Sequence, residues 1–317
     1  MTVSESIIPP KISSKEQAQK LIDEHDNFLF DCDGVIWLDE KLIPGVLSTI
    51  EYLQSKNKRY VFVTNNSSKS RQNYVEKFQR LGFKGITKDM IYPTCYAATF
   101  NLKEHLKVPE GSKIWVLGDS GIEDELREAN YIPVGGTDDR LNAPFDPHHE
   151  LLKVDPDVKA VVVGSTKDFN YMRIALTLQY LLHDNKSIPF IGANIDRSYP
   201  SDGLILPAGG SVVNYMQYTA DRDFINVGKP STTLLDVILE HSRFDKEKTI
   251  MVGDTLYTDI KFGNDGQLAN SLLVFSGGTT KQYFDHFLTT SYKQEETKSM
   301  IPLCYIESFG DIIDLIN

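Results

Sequence analysis

"FLFDCDGVIWL", residues 28–38, sets two aspartates one residue apart directly behind an apolar run. In an extended chain positions i and i+2 share a face, so Asp31 and Asp33 point into the same space at the carboxyl end of a strand over 27–30. Gly34 then lets the chain turn away. Asp-Gly is also a common turn, so what tolerates two neighbouring negative charges has to be read from the rest of the chain.

Apolar runs recur outward from this one: "RYVFVT" 59–64, "KIWVLG" 113–118, "VKAVVVG" 158–164, "IPFIGAN" 188–194, "FINVG" 224–228, "TIMVGD" 249–254 and "SLLVFSGG" 271–278. Between them lie helix signals. "PGVLSTIEYLQSKN" 44–57 starts on Pro and spaces Val46, Leu47, Ile50 and Leu53 on one face, and "SKSRQNYVEKFQRLG" 68–82 stops at Gly82. Strands alternating with helices predict an α/β fold, a Rossmann-like and mainly parallel sheet buried by helices on both faces. A chain of 317 residues is long for one domain. The runs divide it into a core at 1–100 and 223–317 with an inserted α/β unit at 101–222, in which the turn-rich stretch 134–157 reads as a surface excursion.

A formal charge of −11 argues against nucleic acid and anionic lipid as partners. Nowhere does the chain offer the roughly 18 consecutive apolar residues of a membrane span. Cys32, Cys95 and Cys304 cannot all pair and lack metal-site spacing, so a reducing, cytoplasmic setting is expected, which leaves room for the nucleus. His148-His149 and the lone His105, His183, His241 and His286 lack metal spacing too. No strand is followed by the Gly-x-Gly-x-x-Gly of a dinucleotide site.

The ends of other runs carry polar groups: Thr64, Asn65 and Asn66 in "VFVTNNS", Asp254 and Asp259 in "IMVGDTLYTDI". In an open parallel sheet, ligands bind beyond the carboxyl ends of the strands, so these groups can converge with Asp31 and Asp33. Four carboxylates in one crevice resist burial unless a cation compensates. A hard divalent ion and Lys229, directly after the 224–228 run, are the two sources of positive charge, and Mg²⁺ suits a few carboxylates plus substrate phosphate oxygens. Taken singly, Lys229 reads as a solvated lysine and Asp254 or Thr64-Asn65-Asn66 as turns; their recurrence at strand ends makes the set a site. "WVLGDSGIEDEL" 115–126 imitates the 249–260 stretch, with Asp119 after a strand-like run, and on these residues alone either Asp119 or Asp254 could carry the metal.

In this order, Asp31-Cys32-Asp33-Gly34, Thr64-Asn65-Asn66, Lys229 and Gly253-Asp254 with Asp259 resemble the four motifs of the haloacid dehalogenase superfamily. The 101–222 insertion resembles the large α/β cap of its p-nitrophenyl phosphatase and phosphoglycolate phosphatase family, with "GANIDRSYPSDGLILPAGGSVV" 192–213 most similar, and closest to the fungal p-nitrophenyl phosphatases. The resemblance implies that Asp31 is a nucleophile forming an aspartyl phosphate and that Asp33 protonates the leaving oxygen and then activates water. It implies that Thr64 and the Asn65 backbone N–H, beside Asn66, hold phosphate oxygens, and that Lys229 balances charge. The family's acidic motif follows its lysine, which implies that Asp254 and not Asp119, a strand-end turn residue, would bind Mg²⁺ with Asp31 and the main-chain carbonyl of Asp33, while Asp259 holds a metal-bound water or Lys229. Arg197 lies where the cap presents its specificity loop and is expected to pair with a substrate carboxylate. Ala208-Gly209-Gly210-Ser211 stands where the family has Gly-Ala-Gly-Ser, with Ser211 as the expected helix cap. A homodimer through the cap is also implied.

The expected function is a Mg²⁺-dependent phosphatase of small phosphate monoesters such as p-nitrophenyl phosphate and 2-phosphoglycolate. A pyridoxal phosphate phosphatase is the alternative within enzymes, and a catalytically silent binding or regulatory protein the alternative outside them. A dehalogenase is disfavoured, since its chemistry needs neither Asp33 nor Mg²⁺. A silent protein is expected to lack one of Asp31, Asp33, Lys229 or Asp254, and all four are present.

Overall fold

The computed structural model describes residues 8–201, 203–290 and 294–317. Its larger sheet has six parallel strands in the order Cys304–Ile306, Asn270–Val274, Thr249–Gly253, Asn27–Phe30, Arg59–Thr64, Ile91–Pro93. The strand before Asp31 is central, and the chain leaves it in opposite directions to its two neighbours. Asp31, Thr64 and Asp254 therefore come from three adjacent strand ends, where such a sheet opens a crevice.

The runs are continuous in hydrophobicity because both faces are covered. Phe28, Phe30, Phe62 and Val252 pack under helices Lys15–Glu24, Val46–Ser55, Arg71–Arg80 and Asp311–Ile316. Leu29, Val61, Val63 and Met251 face the other way, toward helices Thr94–Phe100, Thr232–Ser242 and Lys261–Asp265. The helix over Arg71–Arg80 starts with a reciprocal cap in which Ser70 and Asn73 bond each other's backbone N–H.

A second parallel sheet runs Ile225–Asn226, Phe190–Gly192, Val158–Val163, Lys113–Leu117, Ile132–Gly135. One face carries Trp115, Leu117, Val161 and Val163 against helices Tyr171–Lys186 and Gly209–Ala220. The other, with Ile114, Val116, Ala160 and Val162, continues into the apolar layer of the larger sheet.

Two local expectations need correction. The 224–228 run is not a strand of the larger sheet: Ile225–Asn226 pairs with Ile191 and Gly192, so the second sheet reaches beyond residue 222. Ser211 does not cap its helix. Ala208 holds that position, and the Ser211 hydroxyl donates to the Arg197 carbonyl at 2.6 Å. Two antiparallel hairpins, Trp37–Leu38 with Lys41–Leu42 and Ser198–Ser201 with Leu204–Pro207, were not foreseen, because strands this short carry no readable period.

Candidate active site

After Phe30 the chain makes one more sheet bond, from Asp31 N–H to the Val252 carbonyl at 2.9 Å, and then curls. The Cys32 carbonyl accepts the N–H groups of Ile36 and Trp37, and Gly34 N–H donates to the Trp37 carbonyl. Cys32 is thereby turned into the core, fully buried, while Asp31 and Asp33 line the cleft between the two sheets' units. Gly34 has φ +85°, and a Cβ there would collide with Asp254 Oδ2. Only glycine lets these two strand ends close so tightly.

Lys229 reaches the site from the segment returning from the second sheet. It is 1% exposed; its ammonium donates to Asp31 Oδ1 at 2.7 Å and to the Val63 carbonyl at 2.8 Å, and pairs ionically with Asp259 Oδ1 at 2.7 Å. Burial acts to lower this ammonium, but the Asp259 and Asp31 carboxylates outweigh it and hold it above the ordinary lysine value. The Asn65 side chain clamps the Lys229 backbone on both sides, accepting from its N–H at 2.8 Å and donating to its carbonyl at 3.0 Å. A side-chain role for Asn65 was not legible in the sequence, where its backbone N–H stood as the functional group.

Asp254 Oδ2 accepts from Gly278 N–H at 2.5 Å and Oδ1 from the Thr255 hydroxyl at 3.0 Å. Burial first, then the Asp259 charge, pushes its carboxyl up to about 7. Burial and the Asp259 and Asp254 charges likewise push Asp31 well above the usual carboxylate range, against the pull of Lys229. Asp259 accepts the N–H groups of Asp254 and Thr255 on Oδ2, while its Oδ1 is buried without a hydrogen bond and faces Lys229 as an ion pair.

Ligand oxygens of Asp31, Asp254 and Asp259 lie within 4.8 Å of one another. Three buried acids against one buried ammonium leave a deficit of positive charge, and a hard cation is what oxygen donors so placed accommodate. The residues present thus fit a metal ion. Asp31 and Asp254 would hold it, beside Asp259, whose Oδ1 is buried and makes no hydrogen bond among the described residues.

The remaining expected residues take up distinct places. Asp33 is exposed to the cleft, its carboxylate outside the three-acid cluster and bonded by Trp37 Nε1 at 2.9 Å. The Thr64 hydroxyl, buried, accepts from Asn66 N–H at 3.1 Å. Asn66 turns its own oxygen to Ser68. Arg197 is exposed and lines the cleft. Asp119 follows a strand of the second sheet and borders the cleft there, apart from the three acids. Sequence reasoning missed Asp196, which receives Asn65 Nδ2 at 3.3 Å and is pushed by burial to about 6. Its signal was proximity to Asn194, which bonds the Asn65 carbonyl at 2.8 Å and anchors that loop.

The haloacid dehalogenase-like hydrolase model matches residues 28–132, and a second, HAD-hydrolase-like model matches 226–296. The 4-nitrophenylphosphatase of Schizosaccharomyces pombe is 34% identical over 305 residues, 96% of this chain and 98% of its own. The chain belongs to the haloacid dehalogenase-like hydrolases. Phosphoglycolate phosphatase 2 of Arabidopsis thaliana, 37% identical over 312 residues, is covered to 99% by 97% of this hydrolase. Among solved structures, a 4-nitrophenylphosphatase from Thermotoga maritima superposes with a TM-score of 0.73 at 26% identity, over 94% of this hydrolase and 99% of that chain. Among the described residues of the hydrolase, no helix is long and apolar enough to cross a membrane.

Proposed function

We propose that this hydrolase is a Mg²⁺-dependent phosphatase of small phosphate monoesters, working through an aspartyl phosphate on Asp31. The observation that carries the reading is the buried Lys229 ammonium held at 2.7 Å by both Asp31 and Asp259, beside Asp254 and open to a cleft of about 1510 Å³. The metal, when bound, supplies the positive charge that offsets the carboxylates and the phosphoryl oxygens. Asp31 attacks phosphorus while Asp33 gives its proton to the departing ester oxygen. Asp33 then takes a proton from water, which attacks phosphorus and frees Asp31 with release of phosphate. Thr64 and the Asn65 backbone face the phosphoryl group, and Lys229 keeps Asp31 oriented and balances the charge that builds up. The core at 1–100 and 223–317 would carry this chemistry under a cap at 101–222. Exposed Tyr218, Leu204 and Ile205 support pairing of two copies through that cap. Three free, buried cysteines accord with a cytoplasmic setting.

The test is phosphate release from p-nitrophenyl phosphate, 2-phosphoglycolate and pyridoxal phosphate with Mg²⁺ or EDTA. Mg²⁺-dependent release from the first two is expected, and no release from any of the three would remove the reading. Arg197→Ala should raise KM for 2-phosphoglycolate about tenfold, the scale of one lost charge-assisted hydrogen bond, and leave that for p-nitrophenyl phosphate unchanged. An unchanged KM for both dissociates Arg197 from the substrate.

Mg²⁺ binding should also depend on pH in a definite direction. Asp254 holds a proton below about 7 in the metal-free protein, and a ligand must shed its proton to bind metal. Apparent Mg²⁺ affinity should therefore rise with pH through neutrality and level off above it. Calorimetric titration in two buffers of different ionisation enthalpy should find more protons released on binding at about pH 6 than at about pH 8.

A further inference from the structure

Trp37 is fully buried, but its indole N–H does not end in the core. It donates to Asp33 Oδ1 at 2.9 Å, and among the described residues no other side chain bonds that carboxylate. The ring is locked on several sides. Tyr74 stacks on it at 6.1 Å and 17°, Phe78 meets it edge-on at 4.9 Å, and Lys77 Nζ stands 4.1 Å from its centre. Lys77 is itself only 3% exposed and is fixed by the Asp39 carbonyl at 2.6 Å and Glu40 at 3.4 Å. Tyr74 contributes packing alone, since its buried hydroxyl has no full hydrogen-bond partner. Trp37 starts the first strand of the short hairpin that follows the aspartate loop, and Asp39 lies in its turn.

We propose that Trp37 is a positioning residue for Asp33, holding one carboxylate oxygen so that the other serves the proton transfers, with Lys77 fixing the indole. The inference rests on the phosphatase reading above. An exposed aspartate on a loop otherwise samples several rotamers, and general acid catalysis tolerates little misplacement. A cation over the ring polarises the indole and strengthens its N–H as a donor. The indole lies on the hairpin and the groups that lock it on the helix Arg71–Arg80, so Asp33 is held from outside the strands of the larger sheet.

The step that Asp33 assists sets the test. An alkyl ester such as 2-phosphoglycolate must have its departing oxygen protonated, whereas p-nitrophenolate departs readily without a proton. Trp37→Phe keeps the ring and removes the N–H. Its kcat/KM, which reports the step that breaks the ester, should fall about 10- to 100-fold for 2-phosphoglycolate and less than about threefold for p-nitrophenyl phosphate. Inhibition by inorganic phosphate should be unchanged. Equal losses on both esters, or no loss on either, overturn the inference. A native protein inactive on both esters instead overturns the phosphatase reading.

A second measurement does not need that variant to fold. The chain has two tryptophans, and the indole of Trp115 donates to Thr177 at 2.8 Å, far along the chain. In protein labelled with ¹⁵N at the indoles, Asp33→Ala should move one N–H resonance and leave the other in place. An indole pair that ignores Asp33→Ala overturns the inference whatever Trp37→Phe does.

Discussion

Asp31→Asn should reduce phosphate release by about four orders of magnitude or more, the scale seen when a nucleophile is removed, and yet yield a protein no less stable than the native one in EDTA. Asparagine has the shape of aspartate without the nucleophilic charge. It also relieves a burial cost, because Asp31 sits in a crevice where burial and two neighbouring acids disfavour its ionised form. Lys229 keeps Asp259 and the Val63 carbonyl, so no charge is stranded. Release assays and a thermal melt in EDTA on the same preparation check both halves. Activity within tenfold of native would take the nucleophile away from Asp31, and a sharply lowered melting temperature would mean that its charge holds the fold together.

Lys229→Met has the opposite balance. The side chain is similar in length, but Asp31 and Asp259 lose their shared counter-charge inside the protein. Breaking a buried ion pair from one side typically costs about 3–5 kcal/mol, and a comparable loss is expected here on top of near-complete inactivation. The deficit should be smaller in acid, where one of the stranded carboxylates keeps a proton, and larger at neutral pH, because the unfolded chain has by then released protons that the folded variant retains. Mg²⁺ should restore part of the stability without restoring activity. Denaturant melts at about pH 5 and about pH 7.5, with and without Mg²⁺, measure this; equal losses at both would contradict the account of Lys229 as the compensating charge.

Much of this site was legible because its parts sit where short-range rules apply. An aspartate two residues from another, at the end of an apolar run and before a glycine, has few other reasons to be there, and the same holds for Asp254 behind "TIMVG". What stayed hidden depends on partners far away in the chain. Trp37 reads as one more core aromatic until Asp33 is seen to accept from its indole. Asn65 reads as a turn residue until Lys229, 164 positions on, arrives between its amide atoms. The strand Ile225–Asn226 was readable as a strand but not as a member of the second sheet, because two residues of apolar pattern do not say which edge they extend.

That last placement governs how the molecule could be respliced. Asn226 is still hydrogen-bonded into the second sheet, and Lys229 is already gripped by Asn65, so a chimaera carrying a foreign cap would have only Val227 and Gly228 in which to make its join. One of those two is not free to vary, since a Cβ on Gly228 would stand 2.7 Å from Asn65 Oδ1 and 2.8 Å from Thr94 Cγ2. Lys229 would thus inherit any error in the graft almost undamped, and a transplanted unit would have to bring its own edge strand in the right register to leave Lys229 between its two carboxylates.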